Sequence, residues 1–298
     1  MKLKFVLCLL GLSIATAYGA QPATAPSFTQ TADVVYGRKF GTALTLDVFQ
    51  PAKPNGAGVL FLMSGGWNSS YSPQNGRSFE ALLERGYTVF TVWHGSQPKY
   101  IVPEIIQDIH RAARFVRASA KRFGIEPDRI GVTGTSSGGH LSLLLGLMGG
   151  PGASDAKDPI DRESSAVQAV ACFCPPTDFA NWARAGDDRL ILNPVDPRYY
   201  GAWGTRADTR EGREQLWREW SPIRFVRSSM PPTFVIHGDV DKTVPLYQAQ
   251  AFEAACRAAG GTCQIVVREG KDHTWPEMAA DRVQFADWFD QHLRGKGK

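Results

Sequence analysis

Gly134-Thr135-Ser136-Ser137-Gly138-Gly139-His140 places two adjacent serines among three glycines, and it is the stretch of this 298-residue chain best suited to chemistry. A serine hydroxyl near its ordinary pKa is a weak nucleophile. It needs a base within hydrogen-bond reach, a group that orients the base, and donors for the oxyanion that forms on an attacked carbonyl. The spacing Gly-x-Ser-x-Gly centres on Ser136; centring it on Ser137 would put Thr135 where the first glycine belongs. The glycines matter where a serine sits on a sharp strand-to-helix turn, because side chains two positions away would collide. An apolar strand (129–133) precedes the turn and an apolar helix (141–148) follows it. Ser136 is therefore the candidate nucleophile, and Ser137 supplies a backbone N–H at a helix N-terminus. A phosphate-binding loop fits less well, since neither a Gly-Lys-Ser/Thr ending nor Gly-x-Gly-x-x-Gly is present.

A serine on such a turn takes its base from late in the chain. His273, in Glu269-Gly270-Lys271-Asp272-His273, follows the last predicted strand and is the candidate base. The other histidines fit less well. His110 lies in a long amphipathic helix, His140 in the first turn after the serine, and His292 on a helix surface. His237 ends a core strand, and His94 precedes the nucleophile but is placed to line a pocket. The orienting acid is expected after the preceding strand, where Asp239 and Asp241 both qualify. A short acid in a turn commonly ties backbone amides, which is the role expected of Asp239. Further oxyanion donors are expected from Ser64-Gly65-Gly66-Trp67, where Gly65 and Gly66 let backbone N–H groups approach an oxygen.

These loops need a scaffold. Strands are predicted near 34–36, 44–49, 58–63, 87–93, 129–133, 167–173, 233–237 and 264–267, and helices over 79–85, 103–123, 141–148, 246–259 and 276–293. The continuous apolar runs suit strands buried on both faces, and the alternation with helices implies an α/β fold with a mostly parallel sheet. Residues 178–227 break the rhythm with tryptophans, tyrosines and arginines and no strand pattern. They read as an inserted lid, with Trp182 and Trp203, together with Trp67, as candidate pocket residues. Such aromatics either pack a lid onto a sheet or stack on a sugar or aromatic ring.

Composition bounds the rest. The chain is 43% hydrophobic with a net charge of +4, as expected of a globular protein, and it has no basic run that would predict nucleic-acid binding. A basic start, an apolar run at 5–14 and small residues after it predict a signal peptide over 1–20, a catalytic domain over 21–298, and secretion or periplasmic export without stable membrane insertion. Cys172 and Cys174 alternate in a buried strand and are expected to face one side as free thiols. Cys256 and Cys263 could meet across Gly260-Gly261, where an exported protein permits a disulfide. No Cys/His spacing suits a metal, and neither metal nor cofactor is expected.

Taken together, Leu46-Asp47-Val48-Phe49-Gln50-Pro51, Ser64 to Trp67, Gly134 to His140, Pro176-Thr177-Asp178, His237 to Pro245 and His273 resemble the α/β-hydrolase superfamily. Within it, they are similar to esterases of the hormone-sensitive-lipase-like and acetylxylan/feruloyl esterase-like (BD-FAE-type) groups. The resemblance implies an α/β-hydrolase fold with helices on both sheet faces and a Ser136–His273–Asp241 triad, since Gly-Asp-x-Asp-x-x-Val-Pro sets its second acid against the histidine. It also implies hydrolysis of short-chain or carbohydrate-linked esters. Two positions depart from the family pattern: Met63-Ser64 replaces His-Gly ahead of Gly65, and Trp93-His94-Gly95 replaces Tyr-Arg-Leu. A prolyl-oligopeptidase-like peptidase shares the triad, but no propeller repeat is visible. A binding protein on the same fold would not need the ordered Ser, Asp and His.

Overall fold

The computed structural model describes residues 28–294 apart from Pro73, Asn75 and residues 193–199. The expected signal peptide lies outside the described residues. The strands are β1 (Phe28–Lys39), β2 (Thr42–Pro51), β3 (Gly58–Leu62), β4 (Thr88–Val92), β5 (Ile130–Thr135), β6 (Ala169–Phe173), β7 (Thr233–Gly238) and β8 (Cys263–Arg268). They form one eight-stranded sheet in the order β1-β2-β4-β3-β5-β6-β7-β8. β1 pairs antiparallel with β2, and β2 with β4; every later pairing is parallel. The helices are α1 (Glu80–Leu83), α2 (Val102–Ala118), α3 (Ala120–Phe123), α4 (Ser137–Met148), α5 (Arg189–Leu192), α6 (Tyr200–Trp203), α7 (Arg210–Trp220), α8 (Tyr247–Ala258) and α9 (Met278–Leu293). No helix of the described residues is long and apolar enough to cross a membrane.

Strand alternation divides the interior into two cores. On β3, Leu60 and Leu62 join a core with residues of α2, α4 and α8, while Val59 and Phe61 join a core with residues of α1 and α9. Leu60, Val59, Phe90 and Phe289 have no exposed surface, and each such side chain contributes about 1.5–3 kcal/mol by burial. The predicted helix 103–123 divides at Ser119 into α2 and α3, and α3 closes on Gly124 at φ 64°.

β6 corrects one expectation. Cys172 faces the first core and Cys174 the second, although two residues separate them. Cys174 lies just past the strand at φ 45°, a left-handed conformation that cancels the strand alternation. Cys256 and Cys263 are free thiols rather than a disulfide. A hydrogen bond between the two thiols and burial together push Cys263 well up.

The described residues between β6 and β7 include α5, α6, α7 and 3-10 turns at Thr205–Asp208 and Pro222–Phe225. Gln248 of α8, wholly buried, anchors its base. Its side-chain oxygen accepts from Thr177 and Asp178 N–H (2.8 and 2.7 Å), and its nitrogen donates to Trp182 O (2.6 Å). Some arginines of the insertion pair at the surface, as in Arg206–Glu219 (2.9 Å) and Arg210–Glu214 (3.1 Å), which contributes at most about 1 kcal/mol each.

β5 enters α4 through the glycine-rich stretch, where strand and helix backbones nearly touch. A Cβ on Gly134 would lie 2.4 Å from the Gly138 carbonyl oxygen, and one on Gly138 would lie 2.7 Å from Leu62 O. Gly134→Ala is expected to destabilise the protein by about 1–3 kcal/mol through forced backbone displacement. Urea unfolding measures this, and a midpoint within error of the parent would contradict the steric argument.

Candidate active site

Ser136 occupies the turn itself, at φ 57° and ψ −122°. A non-glycine residue holds such a conformation only where its surroundings fix it. Here the Ser136 N–H donates to Phe173 O on β6 (2.9 Å), and Ser136 O accepts from His140 N–H (2.9 Å). The adjacent Ser137 opens α4, so its N–H has no carbonyl four residues back within the helix and finds no acceptor among the described residues.

Asp241 follows β7 and His273 follows β8, and the structure brings them together with His273 Nδ1 2.7 Å from Asp241 Oδ2. The second carboxylate oxygen accepts from the Thr243 and Val244 N–H groups, both at 2.8 Å. His237 adds a contact that sequence reasoning missed: its Nε2 lies 3.3 Å from Asp241 Oδ2 while donating to Val244 O at 2.8 Å. Its four-residue spacing from Asp241 was the available signal. Burial alone would raise the Asp241 carboxyl. The hydrogen bonds from His237, His273 and Val244 N–H outweigh burial and hold it well below the usual carboxylate range. Asp241 is thus ionised and can stabilise a cationic His273. Asp239 ties the neighbouring turn, accepting from Gly270 N–H at 2.7 Å.

No hydrogen bond joins Ser136 Oγ to His273 among the described residues. Both are held against the end of β6, Ser136 through Phe173 O and His273 through its carbonyl, which accepts from the Cys174 thiol at 3.8 Å. Catalytic hydrogen bonds of this kind are often loose until substrate arrives.

The loop after β3 settles which glycine is free. Gly65 N–H donates to Asn68 O (2.9 Å) and Gly65 O accepts from Asn68 N–H (3.0 Å). Gly65, expected as an oxyanion donor, therefore has its N–H committed. Gly66, at φ 57°, has no acceptor for its own N–H among the described residues. Met63 and Ser64 do not loosen this loop. Ser64 Oγ lies 3.0 Å from Ser137 Oγ, tying it to the start of α4, and Gln97 Nε2 donates to Gly66 O at 2.8 Å.

His140 completes the anchorage. Trp67 Nε1–H donates to its Nδ1 (3.1 Å), and its Nε2–H donates to Trp220 O at the end of α7 (2.8 Å). Both bonds require a neutral ring protonated on Nε2. The histidine in the first turn after the serine therefore links the oxyanion loop to the helical insertion.

A cavity of about 240 Å³ opens at Ser136 and Ser137, lined by Trp67, Phe179, Trp182, Trp203 and Trp217. Trp203 packs edge-on against Trp67 and Trp217, with centroids 5.1 and 4.9 Å apart. The predicted pocket residues Trp67, Trp182 and Trp203 are all present. His94 is not: it is 4% exposed, and its Nδ1 lies 2.6 Å from Gly95 O. The ring folds back on its own chain and faces neither cavity beside the serine. Folding also brings ligand-type atoms of Cys174, His237 and Asp241 within 4.8 Å, which their spacing does not suggest. The arrangement suits a metal poorly. The Asp241 oxygens already accept several donors, and burial pushes the Cys174 thiol up, away from the thiolate a metal requires.

A mostly parallel sheet, helices on both faces and a strained serine between β5 and α4 define an α/β-hydrolase fold. The chain belongs to the BD-FAE family, whose model matches residues 46–256. It is 32% identical over 241 residues to the esterase LipQ of Mycobacterium tuberculosis, covering 78% of this chain and 53% of that protein. It is 24% identical to a probable isoprenylcysteine alpha-carbonyl methylesterase of Arabidopsis thaliana, covering 77% and 48%. The chain thus spans about half the length of these curated relatives. Among solved structures it resembles esterase 2 of Thermogutta terrifontis with propionate bound, at TM-score 0.69 and 26% identity over 91% of this chain and 97% of that one. It also resembles an acetyl ester-xyloside bifunctional hydrolase of Caldicellulosiruptor lactoaceticus, at TM-score 0.64 and 25% identity over 84% and 86%.

Burial pushes His94, His110 and His140 each down to about 4. A folded-state value below the unfolded one of about 6.5 means the unfolded chain binds protons first as pH falls. These groups therefore leave stability intact above about pH 6.5 and withdraw up to about 3 kcal/mol each as pH falls towards 4. Urea unfolding across pH 7 to 4 should show this decline, and His140→Gln should flatten it by about one proton. An unchanged slope in that variant would remove His140 from the account.

Proposed function

We propose that the chain is a serine hydrolase of carboxylic esters. The observation that carries this is the 2.7 Å Asp241–His273 bond, set at the carboxyl edge of the sheet beside a serine on a strained turn. Ser136 Oγ attacks the ester carbonyl while His273 Nε2 takes its proton. Asp241, fully ionised, holds the imidazole tautomer and stabilises the imidazolium. The N–H groups of Gly66 and Ser137 receive the oxyanion. His273 then returns the proton to the departing alcohol, leaving an acyl group on Ser136, and water attacks that group by the same route. No step needs a metal or cofactor.

The cavity at Ser136, about 240 Å³ and walled by indole rings, supports an apolar acyl group of modest size. The likeness to a propionate-bound esterase and to an acetyl ester-xyloside hydrolase supports the same reading, with acetylated or feruloylated polysaccharides as the natural class. The basic and apolar start of the chain supports export, which suits an enzyme of polymeric substrates.

Ser136→Ala should lower kcat on p-nitrophenyl acetate by about 10⁴–10⁶-fold and abolish labelling by a fluorophosphonate probe. Retained labelling would move the nucleophile elsewhere. Asp241→Asn should cost about 10⁴-fold in kcat, because an amide favours the wrong imidazole tautomer. A loss of less than tenfold would assign the orienting role to another group.

A further inference from the structure

Arg282, in the second turn of α9, is a charged residue that this mechanism does not use. Its guanidinium carbon lies 5.5 Å from the ring centre of Phe61 and 5.7 Å from that of Phe173. Among the described residues it has no hydrogen-bond or ion-pair partner, and its Nε is enclosed without an acceptor. The neighbouring acid is not available to it. Asp281 accepts from Arg268 Nε (3.0 Å) and from Trp275 Nε1 (2.7 Å). Burial pulls the Arg282 guanidinium down from its usual value, yet an arginine remains charged in proteins. A half-buried cation lying over two rings, with its donors unspent, is an incomplete interaction. Guanidinium stacking also leaves the planar N–H fork free at its edge, which is the geometry that receives a carboxylate through two bonds.

Arg282 lines a second cavity, of about 460 Å³, together with Ser64, Asn68, Ser70, Gln74 and Ser78. This cavity shares the oxyanion loop with the tryptophan-walled one and reaches Thr135, beside the nucleophile. The two cavities differ in chemistry: one is walled mostly by aromatic rings, and the other mixes apolar walls from Phe61, Leu62, Met63, Phe79 and Trp93 with hydroxyls, amides and the unpaired Arg282. An ester on Ser136 has two arms. If the acyl arm enters the aromatic cavity, the alcohol must leave towards the group that protonates it, His273. α9 follows His273 directly, and Phe173, which Arg282 covers, precedes the Cys174 that holds the His273 carbonyl.

We propose that this second cavity holds the alcohol portion of the ester and that Arg282 binds a carboxylate carried by that alcohol. The substrate class is an acylated hydroxy acid, such as an acylated uronic acid unit or an acyloxy-benzoate. The proposal rests on the ester hydrolase reading above.

Two measurements test it. The first compares kcat/KM for 4-acetoxybenzoate and its methyl ester, and for p-nitrophenyl hemisuccinate and butyrate, in the parent and in Arg282→Met. The ratio of 4-acetoxybenzoate to its methyl ester should fall at least tenfold in the variant, while the hemisuccinate-to-butyrate ratio moves less than twofold. A first ratio that stays within twofold, or a fall confined to the hemisuccinate pair, overturns the assignment. The second needs no variant and no turnover: titration calorimetry of the parent protein with 4-hydroxybenzoate and with methyl 4-hydroxybenzoate. The carboxylate should bind at least tenfold more tightly and lose that advantage in high salt; equal affinities overturn the proposal even if the variant does not fold. Carboxylate binding by a protein that hydrolyses none of the four esters would instead locate the failure in the hydrolase reading.

Discussion

The near-contact of β5 with α4 is the constraint on which the rest of the molecule depends. Gly134 and Gly138 come so close that no side chain fits between strand and helix. That proximity turns the chain sharply enough to leave Ser136 on an otherwise unfavourable conformation and to lift it above the sheet edge. It also aims the first N–H of α4 into the same space. The parallel strands on either side then bring their own loops to this edge, as open α/β sheets generally do at the carboxyl ends of their strands. Sheet order therefore decides which loops meet: those after β3, β5, β7 and β8.

Around that edge, hydrogen bonds between loops do work that individual side chains cannot. Ser64 to Ser137, Gln97 to Gly66 and Trp67 to His140 each join two separate segments. The neutral His140 ring uses one nitrogen for the oxyanion loop and the other for the end of α7, so the aromatic insertion and the loop share one anchor. Gln248 anchors the base of the insertion from α8. An insertion held at both places is a wall of the cavity, and its tryptophans pack on one another as they line it.

Much of this was legible in the sequence because it rests on local rules. Gly-x-Ser-x-Gly between an apolar strand and helix specifies the elbow by sterics, and the strand runs and helix periodicities specify the layers. His273 was legible through its position after the last strand, whereas position left Asp239 and Asp241 both open and the family resemblance chose Asp241. The misreadings have a common origin in backbone and tertiary pairing. Nothing in Ser64-Gly65-Gly66-Trp67 tells which N–H a distant carbonyl will consume, and Asn68 consumes that of Gly65. His94 looked available from its place after β4, but its ring is buried and its Nδ1 donates to Gly95 O. Cys174 broke the alternation rule because one left-handed residue reverses a face. His237 and Gln248 gave no signal beyond spacing, since a lone polar residue on a core element reads as packing.

The candidate groups are scattered along the chain, with Ser64 and His273 separated by most of the catalytic domain, and they meet only through parallel pairings that each require a long crossover. Contacts of this range slow folding, because the chain entropy lost in closing large loops comes before the gain from the pairing. The β7–β8 pairing delivers His273 at the far end of the sheet order. The site is therefore incomplete in any form of the chain in which β7 and β8 are unpaired. Catalytic competence in this architecture is a property of the assembled sheet rather than of any one segment of it.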